Sequence, residues 1–554
     1  MTKKNISELA EFVIWGTGSK SSVFSKGLVH KPSFYIDSDI TKKDKFFFER
    51  RICHPSDIEN WDELYIIIAN SYYDDIKKEL IERGLFEGQH FDYYENIKND
   101  LLNVERLIDE LKESMHYFKD GYSDFCNQIL IFGSMISFDK NSCSNLNRTN
   151  QILNEKTRFL LISETYDVVE KDRLGLVEFP YFCLPLMLWQ NYYFIKENHE
   201  SIQVSEDIER YLSDEEYRIN AVKDFEGKNK DIAEGYARIF VYYADGFLRE
   251  LIDFINPRSV CIWNQFYPFH ILIRYICKEK NIDLVYLEYG GIPGTYLIER
   301  TGQMGESYPA THWKEFRELP IDQKDLDKTK KVLDYLKTTG LNRRKQPEND
   351  ELENARRMIN LQWPTIVYFG QNDYESGMYP YNENAKRFHS PIFSSSNEAA
   401  FYLAAIAERN SWNFIYKPHP LCLGPDSEEA KKNLPKTAIV IDRCSINDLV
   451  DLADISVTIL STSAYISLIR EKPVLMLGFT QLYKKESTYE ALELEQIEET
   501  IKVALVNGYT KEQKDAFINQ IAREIKYYVF DDFSERYLRY GRDWRIKEIF
   551  DVDI

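Results

Sequence analysis

The sequence is poor in cysteine and in long apolar runs, and each shortage excludes a class of protein. Eight cysteines are scattered among 554 residues, with no CxxC pair and no Cys/His cluster at zinc spacing. They are interpreted as reduced, mostly buried thiols. No window reaches the roughly 18 apolar residues of a membrane span. The opening MTKKNISELAEF lacks the ~7–15-residue apolar run of a signal peptide, so a soluble, cytoplasmic protein is expected.

Basic residues are also in deficit, which weighs against nucleic acid as a partner. Asp and Glu total 90 against 70 Lys and Arg, a net charge of −20. Such a chain has no general electrostatic attraction for a phosphate backbone, so no nucleic-acid partner is expected. The hydrophobic share of 44% and the charged share of 29% are those of ordinary globular proteins. At about 100–200 residues per domain, the length suggests three or four domains.

The N-terminal block has the pattern of half a dinucleotide-binding fold. An apolar strand from Phe12 to Trp15 runs into Gly16 and Gly18, and a second strand ends in Asp37 about 20 residues later. The third glycine of the GxGxxG pattern is replaced by Ser21. We expect a Rossmann-like accessory domain whose candidate ligand loop is Gly16, Gly18 and Asp37. A domain of the same fold without a ligand is the alternative.

Apolar strands alternate with helical patterns along most of the remaining chain. Continuous apolar strands of this kind predict parallel sheets covered on both faces, so the fold class is α/β. The expected organisation is an accessory domain at 1–97, a helical connector at 98–125, one α/β lobe at 126–340, a second at 355–510 and helices at 511–554.

The strongest chemical motif is the K-P-H-P sequence that follows the strand NFIY. Proline restricts the backbone on both sides of His419, which holds the imidazole in place at the end of the strand. Lys417 adds a cation that can neutralise a phosphate. The motif predicts a site for the phosphate of a nucleotide sugar. A proline-rich turn whose histidine caps a neighbouring helix is the alternative.

Two further motifs stand at strand ends in the same lobe. Ser461, Thr462 and Ser463 follow the strand ISVTIL and lead into a helix, where hydroxyls and backbone N–H groups form an anion site or an ordinary N-cap. Gln371 and Asp373 follow the strand TIVYF. They are expected to contact the nucleotide or the transferred sugar, or to cap the segment that follows.

A carboxylate followed by glycines stands at the end of a strand in the first lobe. Glu288 is followed, after Tyr289, by Gly290 and Gly291, which are expected to contact the donor or its sugar. A strand-end carboxylate beside a flexible glycine run fits a catalytic acid or base. A buried carboxylate in a glycine-rich connection is the alternative.

The order of these motifs resembles that of the capsule polysaccharide biosynthesis family, which includes β-Kdo glycosyltransferases. The shared order is E-x-G…P…E…G…S, Q-x-D, K-P-H-P, S-x-S and K-P-V-x-x-x-G…Y, over roughly 255–490. The resemblance implies a GT-B pair of Rossmann-like lobes, here after a small N-terminal Rossmann-like domain. It also implies a CMP-sugar donor carrying an acidic sugar such as Kdo or a nonulosonate, a capsule or other surface-glycan acceptor, and no metal or other cofactor.

The same resemblance implies roles for single residues. It places the phosphate motif on Lys417 and His419, the hydroxyl motif on Ser461 and Ser463, and the Q-x-D motif on Gln371 and Asp373. Some relatives have Glu-Asp-Gly where this chain has Tyr289 in the middle position. The catalytic carboxylate is therefore Glu288, Glu164 or Asp373, with His419 as the second catalytic candidate.

Other functions remain open from the sequence. A CDP-polyol phosphotransferase would also need a phosphate-binding histidine, but is expected to carry a second one in the first lobe. A non-catalytic nucleotide-binding subunit of a glycan assembly complex is an alternative from another class. Arginines between Arg536 and Arg545 alternate with aromatic residues. Such a segment could touch an anionic bilayer, so peripheral contact at the inner face of the cytoplasmic membrane, with a glycolipid acceptor, is left open.

Overall fold

The computed structural model describes most of the N-terminal block and most of the chain after residue 232. The described residues are 4–9, 11–26, 28, 30–98, 129–132, 159–163, 176–178, 206–226, 233–342, 350–420 and 425–531. Apart from Lys98, the predicted connector lies outside them, as do Glu164 and the segment from Arg536 to Arg545. The chain forms two compact units, 1–260 with 272–283 and 261–271 with 284–554. The predicted domain boundaries stay a prediction.

The N-terminal part of the first unit is a Rossmann-like sheet. Its elements are β1 (Lys4–Asn5), β2 (Val13–Trp15), α1 (Ser19–Lys26), β3 (Tyr35–Ile36), β4 (Phe46–Phe47), β5 (Arg50–Cys53), β6 (Ile66–Ile68), α2 (Tyr73–Glu82), β7 (Phe91–Tyr93) and β8 (Ile97–Lys98). The main sheet has the order β4-β5-β3-β2-β6-β7, and only β4 runs antiparallel to its neighbour. Strands β2 and β6 are buried throughout, as strands covered on both faces must be.

The described residues between 129 and 255 contain a second set of parallel strands and several helices. They are β9 (Ile129–Phe132), β10 (Phe159–Ser163), β11 (Leu176–Glu178), α3 (Glu206–Ser213), α4 (Glu215–Glu226) and α5 (Ala233–Ile255). Strand β10 pairs in parallel with both β9 and β11. The parallel pairing predicted for these apolar strands is confirmed.

The second unit, with the elements that lead into it, contains the remaining strands and helices. The strands are β12 (Ser259–Trp263), β13 (Asp283–Tyr289), β14 (Thr295–Glu299), β15 (Thr365–Phe369), β16 (Asn413–Lys417), β17 (Ala438–Val440), β18 (Ile455–Thr458), β19 (Val474–Met476), β20 (Tyr489–Glu490) and β21 (Val529–Asp531). The helices are α6 (Pro268–Lys280), α7 (Tyr308–Thr311), α8 (Trp313–Glu318), α9 (Gln323–Thr339), α10 (Asp350–Met358), α11 (Glu383–Phe388), α12 (Ser396–Arg409), α13 (Pro425–Asn433), α14 (Ile446–Leu452), α15 (Ser463–Ile469), α16 (Leu494–Asn507) and α17 (Lys511–Tyr527).

Strands β12, β13, β14 and β21 are neighbours in that order, and the last two were not predicted. The glycine run after β13 is a tight reversal, since Gly294 has a φ of +78° and the amide of Gly290 donates to the carbonyl of Thr295 at 2.8 Å. Strand β14 therefore returns antiparallel to β13, and β21 pairs antiparallel with β14. The described part of the C-terminal segment predicted as helices, 511–531, contains the helix α17 and then the strand β21.

The six strands β15 to β20 form a parallel sheet, hereafter the C-terminal sheet. Its order is β17-β16-β15-β18-β19-β20, so the chain moves outward on one side of β15 and then outward on the other. Apolar clusters cover both faces. The predicted α/β class with Rossmann-like sheets is confirmed. In such sheets ligands bind beyond the carboxyl ends of the strands where the order reverses, here between β15 and β18.

Candidate functional site

Three of the predicted motifs leave neighbouring strands at one edge of the C-terminal sheet. Phe369, the last residue of β15, lies opposite Lys417 of β16 and Thr458 of β18. The loops after these three strands therefore start side by side. The amide of Gly370 also donates to the carbonyl of Lys417 at 3.0 Å. This edge contains the reversal of strand order, the place where an α/β sheet binds its ligands.

The two titratable residues of the K-P-H-P motif, Lys417 and His419, have different environments. Lys417 is 5% exposed, and its ammonium donates to the carbonyls of Pro418 at 2.9 Å and Asp442 at 2.8 Å. Burial lowers the pKa of Lys417. His419 is half-buried at the start of the next loop. The buried ammonium of Lys417 therefore holds the loop that starts at Pro418, and it places a positive charge under this edge of the sheet.

The two serines of the S-T-S motif also differ. The hydroxyl of Ser461 accepts the amide of Ser463 at 3.3 Å, a local hydrogen bond across Thr462, the residue that precedes α15. Ser463 is 4% exposed, and none of the described residues hydrogen-bonds its hydroxyl. Thr462 is half-buried and makes no capping hydrogen bond through its side chain. The buried hydroxyl of Ser463 is the group of this motif whose chemistry the fold itself leaves unused.

The Q-x-D motif caps a helix. A carboxylate oxygen of Asp373 accepts the amide of Ser396, the first residue of α12, at 2.9 Å, and the other accepts the Ser396 hydroxyl at 3.1 Å. The side chain of Gln371 donates to the same carboxylate at 2.8 Å. The positive end of the helix dipole stabilises a carboxylate at this position. Asp373 therefore caps α12, which begins 23 residues further along the chain and is not the segment that directly follows the motif, and contact with the nucleotide or the sugar stays a prediction.

The E-Y-G-G block meets the helix of the S-T-S motif. A Cβ on Gly291 would lie 2.4 Å from ring carbons of Tyr465 in α15, so only a glycine fits this contact. Glu288 is half-buried on β13, opposite Leu297 of β14. Burial raises the pKa of Tyr528 well above its usual value, and nearby carboxylates, Glu288 among them, raise it further. The contact between Gly291 and Tyr465 thus places the strand end that carries Glu288 beside the helix that follows the S-T-S motif.

Glu299 is the second glutamate of the E-x-G…P…E…G…S pattern, and both of its carboxylate oxygens accept hydrogen bonds within the fold. It is 5% exposed and accepts the hydroxyl of Tyr528. Its other oxygen accepts the amide of Tyr308 at the start of α7, at 2.9 Å. These contacts tie β14 to the helix that follows and to the chain near β21.

Sequence reasoning missed two residues beside this edge, His389 and Glu306. His389 is 1% exposed, and its Nε2 lies 3.6 Å from a carboxylate oxygen of Glu306. Neither residue belongs to a recognisable motif, and the two are far apart in the sequence. No local signal could have paired them.

In the first unit, one of the two glycines of the predicted ligand loop stands where the backbone requires a glycine. Gly16 has a φ of +130°, and a Cβ there would lie 2.5 Å from the carbonyl oxygen of Ala69. Gly18 is exposed. The carboxylate of Asp37 accepts the hydroxyl of Thr17, and the ammonium of Lys42 lies 3.1 Å from it. The carboxylate is thus engaged within the domain, and ligand binding by Gly16, Gly18 and Asp37 stays a prediction.

The described residues offer no cluster of metal ligands, no membrane-spanning helix and no disulfide. In this part of the chain, no group of three or more His, Cys, Asp or Glu side chains could hold a metal ion. None of the helices in that part is both long and apolar enough to cross a bilayer. Its cysteines, Cys53, Cys261, Cys277 and Cys444, are free thiols. Metal independence and location in the cell stay predictions.

Comparison with known proteins finds distant structural likeness. No family model matches the sequence, and no curated protein matches it. The KpsC β-Kdo 2,7 transferase of Thermosulfurimonas dismutans is 18% identical with a TM-score of 0.31, over 50% of this chain and 79% of that one. The KpsC β-Kdo 2,4 transferase of the same organism is 13% identical with a TM-score of 0.34, over 48% and 79%. The UDP-GlcNAc 2-epimerase of Methanocaldococcus jannaschii, in complex with UDP-GlcNAc and UDP, is 10% identical with a TM-score of 0.30, over 72% and 99%. Likeness at this level does not decide a function, so the functional argument rests on the residues of the site.

Proposed function

We propose that this protein is a glycosyltransferase that moves an acidic sugar, Kdo or a nonulosonate, from a CMP-sugar donor to a surface-glycan acceptor. The proposal includes a metal-independent reaction and a glycan or glycolipid acceptor. The nucleotide and its phosphate would bind at the edge of the C-terminal sheet where β15, β16 and β18 end.

One observation carries the proposal: three polar motifs begin side by side at the reversal of strand order. Phe369 is opposite both Lys417 and Thr458, and parallel α/β sheets bind phosphate-bearing ligands at this kind of position. The hydroxyl of Ser463 is buried without a partner among the described residues. An unsatisfied buried hydroxyl costs about 1–3 kcal/mol, a cost that a bound phosphate oxygen would remove.

The reaction can be written with these residues. The bond between the anomeric carbon of the sugar and the phosphate oxygen of CMP breaks, and CMP leaves with the bonding electrons. The acceptor oxygen bonds to that carbon, and its proton passes to a carboxylate, for which Glu288 is the candidate. Donors aimed at the departing phosphate stabilise its charge, and His419 and backbone N–H groups after β18 would supply them. The sugar passes through an oxocarbenium-like state that a carboxylate also stabilises.

The first experiment measures thermal stability of the purified protein with CMP, CDP, UDP, GDP or NAD(H). A ligand at about 100 times its Kd adds roughly 2.7 kcal/mol of apparent stability. We expect stabilisation by cytidine nucleotides, loss of that stabilisation in His419→Ala, and release of CMP from CMP-Kdo or a CMP-nonulosonate when acceptor is present. His312→Ala is the matched control, because His312 is exposed and stacks only on its neighbour Tyr308 among the rings of the described residues.

Other outcomes would redirect the proposal. Stabilisation by UDP alone would change the donor class. Binding of CMP without transfer would favour a non-catalytic nucleotide-binding subunit, and transfer from CDP-glycerol would favour a polyol-phosphate transferase. A response to NAD(H) alone would move attention to Gly16 and Gly18 and contradict the proposal.

A further inference from the structure

A buried imidazole and a carboxylate meet beside the proposed donor site. Nε2 of His389 lies 3.6 Å from a carboxylate oxygen of Glu306, within ion-pair distance. The His389 side chain is 2% exposed and that of Glu306 is 24% exposed. His389 follows α11, and Glu306 ends the short turn Met304–Glu306 that precedes α7.

His389 is attached to the C-terminal sheet. Its carbonyl oxygen accepts the amide of Phe479, just beyond β19, at 2.8 Å. A Cβ on Gly478 would lie 2.3 Å from the same oxygen, so the approach requires a glycine. The hydroxyl of the next residue, Ser390, donates to the carbonyl of Leu477 at 3.0 Å. His389 is therefore held at the edge where β18 and β19 end, the edge that also carries the S-T-S motif.

Glu306 is attached to the strand that carries Glu288. In the same turn, the side-chain amide of Gln303 donates to the carbonyl of Leu287 at 2.7 Å. Leu287 is the residue before Glu288 on β13. The backbone amide of Gln303 donates in turn to the side-chain oxygen of Gln265 at 3.1 Å. Any displacement of the Gln303–Glu306 turn would therefore act directly on the backbone beside Glu288.

The packing around the pair leaves little freedom to either residue. The ring of Phe266 meets that of His389 edge-on, with centroids 5.5 Å apart. A Cβ on Gly377, whose φ is +79°, would lie 2.6 Å from Nε2 of His389. A Cβ on Gly305 would lie 1.4 Å from the carbonyl oxygen of Phe388. These glycines let the turn and the histidine approach to contact distance.

Apolar packing alone does not account for a histidine at this position. Its Nδ1 is buried and has no hydrogen-bond partner among the described residues. A buried polar atom without a partner is destabilising, whereas a phenylalanine ring of similar size carries no such cost. Space filling therefore does not explain the imidazole, whereas its polar contact with Glu306 does.

We propose that His389 is a positioning residue. Through Glu306 and the Gln303–Glu306 turn, it fixes the position of the carboxyl end of β13, which carries Glu288, relative to the edge of the C-terminal sheet that would bind the donor. This inference rests on the proposed function. Small errors in the placement of a catalytic group cost up to about 100-fold in rate, so a single linking contact is enough to matter.

The test compares His389→Phe, which keeps a ring, with His389→Gln, which keeps a polar group able to reach Glu306. We expect kcat for transfer to fall 10- to 100-fold in His389→Phe and to recover in part in His389→Gln. The KM for the donor and the stabilisation by CMP should stay within about twofold of wild type in both. His312→Phe, at an exposed histidine, is the control and should leave kcat unchanged.

A second readout does not depend on activity. Amide hydrogen exchange over 284–291 should quicken about tenfold or more in His389→Phe, while exchange over β15 stays as in wild type. An unchanged kcat with unchanged exchange over 284–291 would overturn the inference, as would loss of CMP binding in both variants. If wild type shows no transfer, the proposed function fails, and hydrogen exchange alone then decides whether His389 positions β13.

Discussion

Tyr465 lies directly against Gly291, close enough that a Cβ on the glycine would stand 2.4 Å from two carbons of the ring. The ring is 2% exposed, and its hydroxyl donates to Glu524 at 2.7 Å. Burial raises the pKa of Glu524 to about 7. Because the tyrosine is fixed at both ends, the contact joins the glycine run after Glu288 to the helix that begins at Ser463.

We expect Gly291→Ala to destabilise the protein. The added methyl group would overlap a ring that is buried and cannot move away, and overpacking of this kind costs about 1–3 kcal/mol. The urea midpoint measures the loss. Gly246→Ala is the matched control, since a Cβ on this exposed glycine of α5 meets nothing within 4 Å. It should stabilise the protein by about 0.5–1 kcal/mol. A Gly291→Ala variant as stable as wild type would contradict the contact.

The two serines of the S-T-S motif should respond in opposite ways to alanine. Ser461→Ala removes the acceptor for the amide of Ser463, a neutral hydrogen bond worth about 0.5–1.5 kcal/mol. Ser463→Ala removes a buried hydroxyl without a partner among the described residues, which should be neutral or stabilising. Thermal unfolding without ligand measures both effects. With CMP present, Ser463→Ala should gain less stability than wild type, and an equal gain would remove its hydroxyl from the phosphate site.

Lys417→Met tests whether the lysine stabilises its loop in the absence of ligand, in addition to any contact with a phosphate. The change leaves the carbonyls of Pro418 and Asp442 without the ammonium that now bonds both. We expect a loss of about 1–3 kcal/mol in the absence of nucleotide. Lys431→Met is the control, because Lys431 pairs with the Asp442 side chain at the surface and should change stability by about 1 kcal/mol or less. An unchanged urea midpoint in Lys417→Met would show that the ammonium acts on ligand alone.

Glu471 should give a pH-dependent contribution to stability. It lies 2.7 Å from Lys337 of α9 and 2.8 Å from Lys514 of α17, and these hydrogen bonds lower its pKa from 4.5 to about 2. A lowered pKa means that the stabilisation is present above pH 4.5 and is lost as the pH falls toward 2. The side chain is 49% exposed, so solvent screening limits the effect to about 0.5–1 kcal/mol.

The measurement compares urea midpoints of wild type and Glu471→Gln across that range. Their difference should be largest at neutral pH, shrink as the carboxylate is protonated, and shrink again in 1 M salt, where the Debye length is about 3 Å. Glu499→Gln, at an exposed position of α16, is the control. A difference that grows on acidification would contradict the assignment.

Most strands of the parallel sheets, β15 to β19 among them, could be predicted because each is a short apolar run with its own local signal. Thr365–Phe369 and Asn413–Lys417 are buried along their whole length, and their polar continuations follow at once. Strands β14 and β21 could not be predicted in the same way. They depend on the reversal at Gly294 and on pairing between segments far apart in the chain.

The sequence by itself determined the α/β class and the position of each motif at a strand end, because apolar runs, prolines and glycines act on the residues next to them. Only the tertiary structure decided which atoms those motifs meet. Lys417 bonds two carbonyls, Asp373 caps α12, and His389 reaches Glu306. Each of these contacts joins separate parts of the chain, and such contacts follow from packing and register, which no single segment encodes.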